Sequence, residues 1–125
     1  MKKLPLLLCV LLCYITSFSQ TTIKLEDISK HVGDSVKVCS KIYGGIYLDR
    51  STDKLTLLNV GGAYPNNPLT VVINPEVRKS FDQKPEEFYK DKAVCIFGKV
   101  TLYKDKPQIV LYSSAQLVPD PQVGQ

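Results

Sequence analysis

Cys39 and Cys95 are the residues whose chemistry depends most on where the chain resides. In an oxidising compartment two such thiols pair as a disulfide. They form no zinc site unaided, and the single histidine of the chain, His31, supplies at most one more ligand. A second set of residues suits binding. Tyr43, Tyr47 and Arg50 lie in one stretch, Tyr64, Asn66 and Asn67 in another, and Tyr103, Lys104 and Lys106 in a third. Tyrosine rings stack on planar groups, cations meet anions, and amides bond polar edges. Groups for bond-making chemistry are sparse. Asp49, Arg50 and Asp53 are the nearest approach to a metal-holding cluster, and their turn-like setting reads as a solvated loop. His31 suits the C-terminal end of a short helical turn, where a cation is favoured, and the sequence shows it no partner for general-base work. No catalytic residue, metal site or cofactor is expected.

These residues belong to a chain whose beginning reads as a leader. "MKKLPLLLCVLLCYITSFSQ" has two lysines, an apolar run from Leu4 to Ile15, then small polar residues. That is the layout of a secretory signal. The run is about 12 residues, where a membrane span needs about 20. Ser17 and Ser19 place cleavage after residue 19. Leu8 and Leu12 precede Cys9 and Cys13, where a lipoprotein signal needs a small residue. The expectation is a signal peptide over 1–19, a domain over 20–118 and a flexible polar tail over 119–125, in a secreted or periplasmic protein without a membrane span. The remaining chain is about 106 residues, one domain's worth. The formal charge of +4 includes Lys2 and Lys3, so the mature chain carries about +2. That balance alone makes no case for a polyanion.

The pattern of the mature chain is mostly period two. A helical turn is expected from Glu26 to about His31, stopped by Gly33. "SVKVCSKIYGG" alternates as a half-buried strand, with Val36, Val38 and Ile42 on one face and Lys37, Cys39 and Lys41 on the other. "IYLDRSTDK" reads as a loop or strand extension, "LTLLNV" as a second strand, "GGAYPNNP" as a dense turn and "LTVVIN" as a third strand. A helix starts near Pro75, breaks around Lys84 and Pro85, and continues as a further turn. "AVCIFGKVTLYKDKPQIVLY" then supplies strands four and five. Val94, Ile96, Gly98, Val100 and Leu102 share one face of strand four. Cys95, Phe97, Lys99, Thr101 and Tyr103 share the other.

Three strands, a helix and a hairpin form the order of an OB-fold, a small Greek-key barrel that closes strand four against strand one. The expected fold is therefore all-β: a five-stranded OB barrel with a short helix between strands three and four and a short N-terminal helical turn. An open α+β sandwich of the same elements is the alternative. With strands one and four adjacent, Cys39 and Cys95 lie on corresponding outer faces and can bridge. Such a loop is worth about 4 kcal/mol in the chain-entropy model. Two free thiols are the alternative.

"KHVGDSVKVCSKIYG", "LTLLNVGGAYPNNPLTVVI" and "YKDKAVCIFGKVTLYKDKPQIVLYSSAQL" together resemble a family of small secreted bacterial OB-fold proteins, over about residues 30–117. Ser40 departs from that pattern, which has glycine after Val-Cys. The resemblance implies a nucleic-acid-binding type of OB-fold, a companion of secreted nucleases. Fold analogy alone does not establish function. Two functions are expected to compete. One is a non-catalytic module for single-stranded nucleic acid, using the tyrosines, amides and cations named above. The other is a module contacting protein, glycan or a small ligand. The nucleic-acid reading expects the Lys104–Lys106 turn to face the Tyr43–Arg50 region across one groove.

Overall fold

The computed structural model describes residues 20–123, so the leader lies outside the described residues. Seven strands run in the order β1 (Thr21–Ile23), β2 (Ser35–Tyr47), β3 (Thr56–Val60), β4 (Leu69–Ile73), β5 (Ala93–Tyr103), β6 (Lys106–Leu111) and β7 (Leu117–Pro119). A 3₁₀ helix, Leu25–His31, fills the first connection. Two single-turn helices, α1 (Pro75–Arg78) and α2 (Pro85–Phe88), lie between β4 and β5. Proline opens each of the two, where its missing N–H costs nothing. Asn74 also caps α1 by accepting a bond from the Val77 N–H.

Closure depends on β2 serving two partners. Residues 35–41 pair antiparallel with β5, and residues 42–47 pair antiparallel with β3. The change of partner falls at a bulge between Ile42 and Gly44, which bends the strand. Gly45 follows, where a Cβ would lie 2.4 Å from the Leu57 carbonyl oxygen. Only glycine lets the backbones approach so closely. β3 pairs with β4, β4 runs parallel to β6, and β6 returns antiparallel to β5. The circuit β2–β3–β4–β6–β5–β2 is the closed five-stranded OB barrel.

Side chains from all five strands fill its interior. Val36, Val38, Leu58, Val71, Ile96 and Ile109 are among those with no exposed surface. Gly98 also faces inward, where an added Cβ would meet Ile109 Cγ2 at 2.6 Å. Leu102, expected on the inward face, is 48% exposed. Its pair, Pro107, is next to the hairpin turn, so the strand has passed the barrel mouth and alternation no longer means burial.

β1 and β7 extend the barrel. β1 lies parallel to Val36–Val38, and β7 lies antiparallel to Val94–Ile96. Each has three residues, too short for a period to register in sequence. β7 carries through Pro119, the first residue of the expected tail, and the Asp120 N–H bonds the Ala93 carbonyl. Gln116 holds the connection before it. Its carboxamide oxygen accepts from the Tyr112 and Ser113 N–H groups, while its nitrogen donates to the Phe97 carbonyl at 2.8 Å.

Cys39 and Cys95 are directly opposed on β2 and β5 and form a disulfide, with Cα atoms 4.0 Å apart. That separation is somewhat shorter than the roughly 4.5 Å of the close pair positions of an antiparallel ladder.

Candidate ligand face of the barrel

The inward set fixes what faces out. Leu58, Val60, Leu69, Val71 and Ile109 point into the core, so their strand neighbours point to the opposite side. Register aligns these neighbours into two cross-strand rows. One is polar: Asn59 opposes Thr70, Thr70 opposes Gln108, and Gln108 opposes Thr101. The other is apolar: Ile46 opposes Leu57, Leu57 opposes Val72, and Val72 opposes Val110. Ile46 is 53% exposed, while Val72 is nearly covered. The rows are about 6.6 Å apart along the strands, and each crosses four strands in about 14 Å. The sequence shows alternation within each strand but not which residues align across strands, so this face becomes visible only with the register.

The expected binding residues divide between the ends of this face. Because Thr70 opposes Gln108 and Tyr103 opposes Lys106, the Lys104–Asp105 turn lies beyond the Leu69 end of β4. The loop 61–68 leaves β3 at that same end. Tyr64, Asn66 and Asn67 thus share an end of the sheet with Tyr103, Lys104 and Lys106. Tyr64 is 77% exposed and Tyr103 60%. Asn67 donates to the Leu69 carbonyl and the Thr70 hydroxyl, which ties the loop to the polar row.

Tyr47 and Arg50 lie at the other end, where Tyr47 opposes Thr56 and Thr56 opposes Ile73. Register therefore separates them from the lysine turn, and the single groove expected between the two does not form. Tyr43 sits at the bulge, nearer the loop 61–68, with Lys41 Nζ 4.9 Å from its ring centroid. It borders a separate groove of about 650 Å³ that also includes Leu25, Cys39, Lys41 and Pro68. Tyr112, one residue past β6, continues the outward side of Val110 and is 78% exposed. No spacing in the sequence marked it.

Tyr47 has a structural task. The Arg78 guanidinium carbon lies 3.7 Å from its ring centroid. Arg78 also donates to the Thr56 hydroxyl at 2.7 Å and to both Glu86 carboxylate oxygens at 2.7 and 3.2 Å. This cluster fastens α1 and α2 over one end of the barrel. The hydrogen bond to Glu86 raises the Arg78 pKa against the opposing effect of burial. Burial pushes the Glu86 carboxyl up, but hydrogen bonds from Arg78 and the backbone, with the nearby positive charges, hold it below the ordinary value.

His31 does have a carboxylate neighbour, with Nδ1 3.2 Å from Asp34 Oδ2. The pair closes the turn after the 3₁₀ helix. The Asp120 carboxylate lies within 4.8 Å of the Cys39 and Cys95 sulfurs, which are bonded to each other. Asp49 and Asp53 are exposed in the loop after β2.

No protein-family model matches this chain, and no curated protein matches it. Among solved structures, the chain is similar to one described as an aspartyl-tRNA synthetase from Leishmania major Friedlin, with a TM-score of 0.49 and 9% identity. The match covers 88% of this chain and 23% of that one, so the chain spans less than a quarter of that protein's length.

Proposed function

We propose that this chain is an exported, non-catalytic OB-fold module that binds single-stranded nucleic acid at the hairpin end of the outward face. The observation carrying this reading is the gathering of Tyr64, Tyr103, Lys104 and Lys106 beside the polar row Asn59–Thr70–Gln108–Thr101. Exposed tyrosines offer ring faces to bases, each stack worth about 1–3 kcal/mol. The lysines meet phosphates without reading sequence, and the amides and hydroxyls suit base edges. Asp105 lies between the lysines and repels the same phosphates, which points to weak binding. The resemblance to small secreted OB-fold proteins supports the same reading. Export is supported by the leader and agrees with the disulfide. Among the described residues no helix is long and apolar enough to cross a membrane.

The test is titration of short labelled oligonucleotides against the parent and Lys104→Ala/Lys106→Ala. Two phosphate contacts give a slope of about −1.4 in log K against log salt, which the double substitution removes. Absence of salt-sensitive binding by the parent at low ionic strength overturns the reading.

A second reading has its own observation, the apolar row from Ile46 to Val110 leading toward Tyr112. This row suits a protein partner better than a nucleic acid. Under that reading, Ile46→Lys abolishes partner binding and the lysine substitutions leave it intact.

A further inference from the structure

We propose that Gln20 becomes the amino terminus of the exported chain and cyclises to a pyroglutamyl lactam that protects β1. The inference rests on the leader cleavage included in the proposed function, and adds a covalent modification to it. Gln20 is exposed and immediately precedes Thr21, the first residue of β1. Once the peptide bond before it is cut, its α-amine and side-chain carboxamide belong to one residue and can close a five-membered ring. The amine nitrogen attacks the side-chain carbonyl carbon, forming a new C–N bond. The bond from that carbon to the carboxamide nitrogen breaks, and this nitrogen leaves as ammonia with the proton given up by the attacking amine. Nothing is oxidised or reduced, and no co-reactant is consumed. An α-amine has a pKa of about 7.7–8.0, so an appreciable fraction is unprotonated and nucleophilic near neutral pH. Holding both groups in one residue replaces a bimolecular encounter with an intramolecular one.

The fold gives this end-group a consequence. β1 is an edge strand of three residues whose free end is the start of the mature chain. It pairs with Val36–Val38, and its last residue, Ile23, packs against the core. Stepwise removal from the amino end would take Gln20, then Thr21 and Thr22, and then reach this packing residue. It would also leave the outer edge of β2 bare, an unpaired edge open to pairing with another chain. A lactam leaves no free α-amine for an aminopeptidase to grasp, and it removes one positive charge beside that edge.

The experiment is intact-mass analysis of the full chain exported from a bacterial host, followed by N-terminal peptide mapping. The expected mass is that of residues 20–125 with one disulfide and less one ammonia. The protein should resist a general aminopeptidase until a pyroglutamyl-specific peptidase removes the lactam. Gln20→Ala should keep a free amine and be trimmed directly. A chain that begins at Gln20 and retains the ammonia after prolonged incubation at neutral pH overturns the lactam and leaves the export reading standing. A mass beginning at a residue other than Gln20 likewise overturns the lactam and leaves export standing, whereas a mass retaining the leader overturns both.

Discussion

Arg78 and Glu86 face each other across the two helical turns that cover the barrel end, joined by hydrogen bonds of 2.7 and 3.2 Å, with both side chains largely buried. Neither helix has more than four residues, so neither is stable through its own backbone bonds. Each depends on what it packs against. The ion pair, with Thr56 below it and Tyr47 beside the guanidinium, supplies much of that attachment.

Removing one member of this pair should therefore cost more than removing both. Arg78→Met leaves the Glu86 carboxylate partly buried without its partner, and a loss of about 3–5 kcal/mol is expected. Arg78→Met with Glu86→Leu replaces the pair by apolar volume and should recover much of that loss. Denaturant unfolding of the three proteins measures the difference. A double variant as unstable as the single one would show that the pair is not coupled as described.

The same pair makes stability depend on pH in a definite direction. The folded chain holds Glu86 below the ordinary glutamate pKa of about 4.3, so the unfolded chain binds that proton more readily. The contribution of Glu86 is complete above the ordinary value and is lost as pH falls through it toward the lowered folded value. Unfolding midpoints from pH 7 to pH 3 should fall less steeply for Glu86→Gln than for the parent. An equal slope in the two proteins would refute the assignment.

The disulfide permits a cleaner test, since its two cysteines oppose each other directly and close a separation of 56 residues. Cys39→Ala/Cys95→Ala should lose about 4 kcal/mol on the chain-entropy account. The β2–β5 ladder around the pair should nevertheless persist, because Val36, Val38, Val94 and Ile96 remain buried beneath it. Amide exchange in both strands, with thermal unfolding, measures the two parts. Loss of the whole ladder would mean that the bridge is required for closure.

The barrel was legible in sequence because its signal is local: five alternating runs, a turn rich in glycine and proline, and prolines opening the helical turns. The disulfide followed once strands one and four were made neighbours. The candidate ligand face was only half legible. Tyr64, Tyr103 and the lysines are recognisable by residue type, but their meeting at one sheet end depends on the parallel β4–β6 register, a pairing across nearly forty residues. The contact between Tyr47 and Arg78 is not legible in sequence, because the two lie in different elements and no spacing connects them. β1 and β7 escaped detection because three residues do not establish a period.

The hairpin turn joins stability to binding. Lys104 and Asp105 have φ of 50° and 66°, the left-handed region that a two-residue turn of this kind demands and that Asn-Gly satisfies most readily. Lysine there is costly, and replacement by Asn-Gly should relieve about 1 kcal/mol or more. Lys104→Asn/Asp105→Gly is thus expected to unfold at higher denaturant concentration than the parent. Under the nucleic-acid reading it should also bind oligonucleotides with a salt slope smaller by about 0.7, the loss of one phosphate contact. Lys104→Asn with Asp105 retained separates the two effects, keeping the repelling carboxylate while removing the cation, and should bind weaker than either. A stabilised hairpin whose oligonucleotide affinity and salt slope match the parent would exclude Lys104 as a phosphate contact and place the phosphate-binding cations elsewhere than this turn.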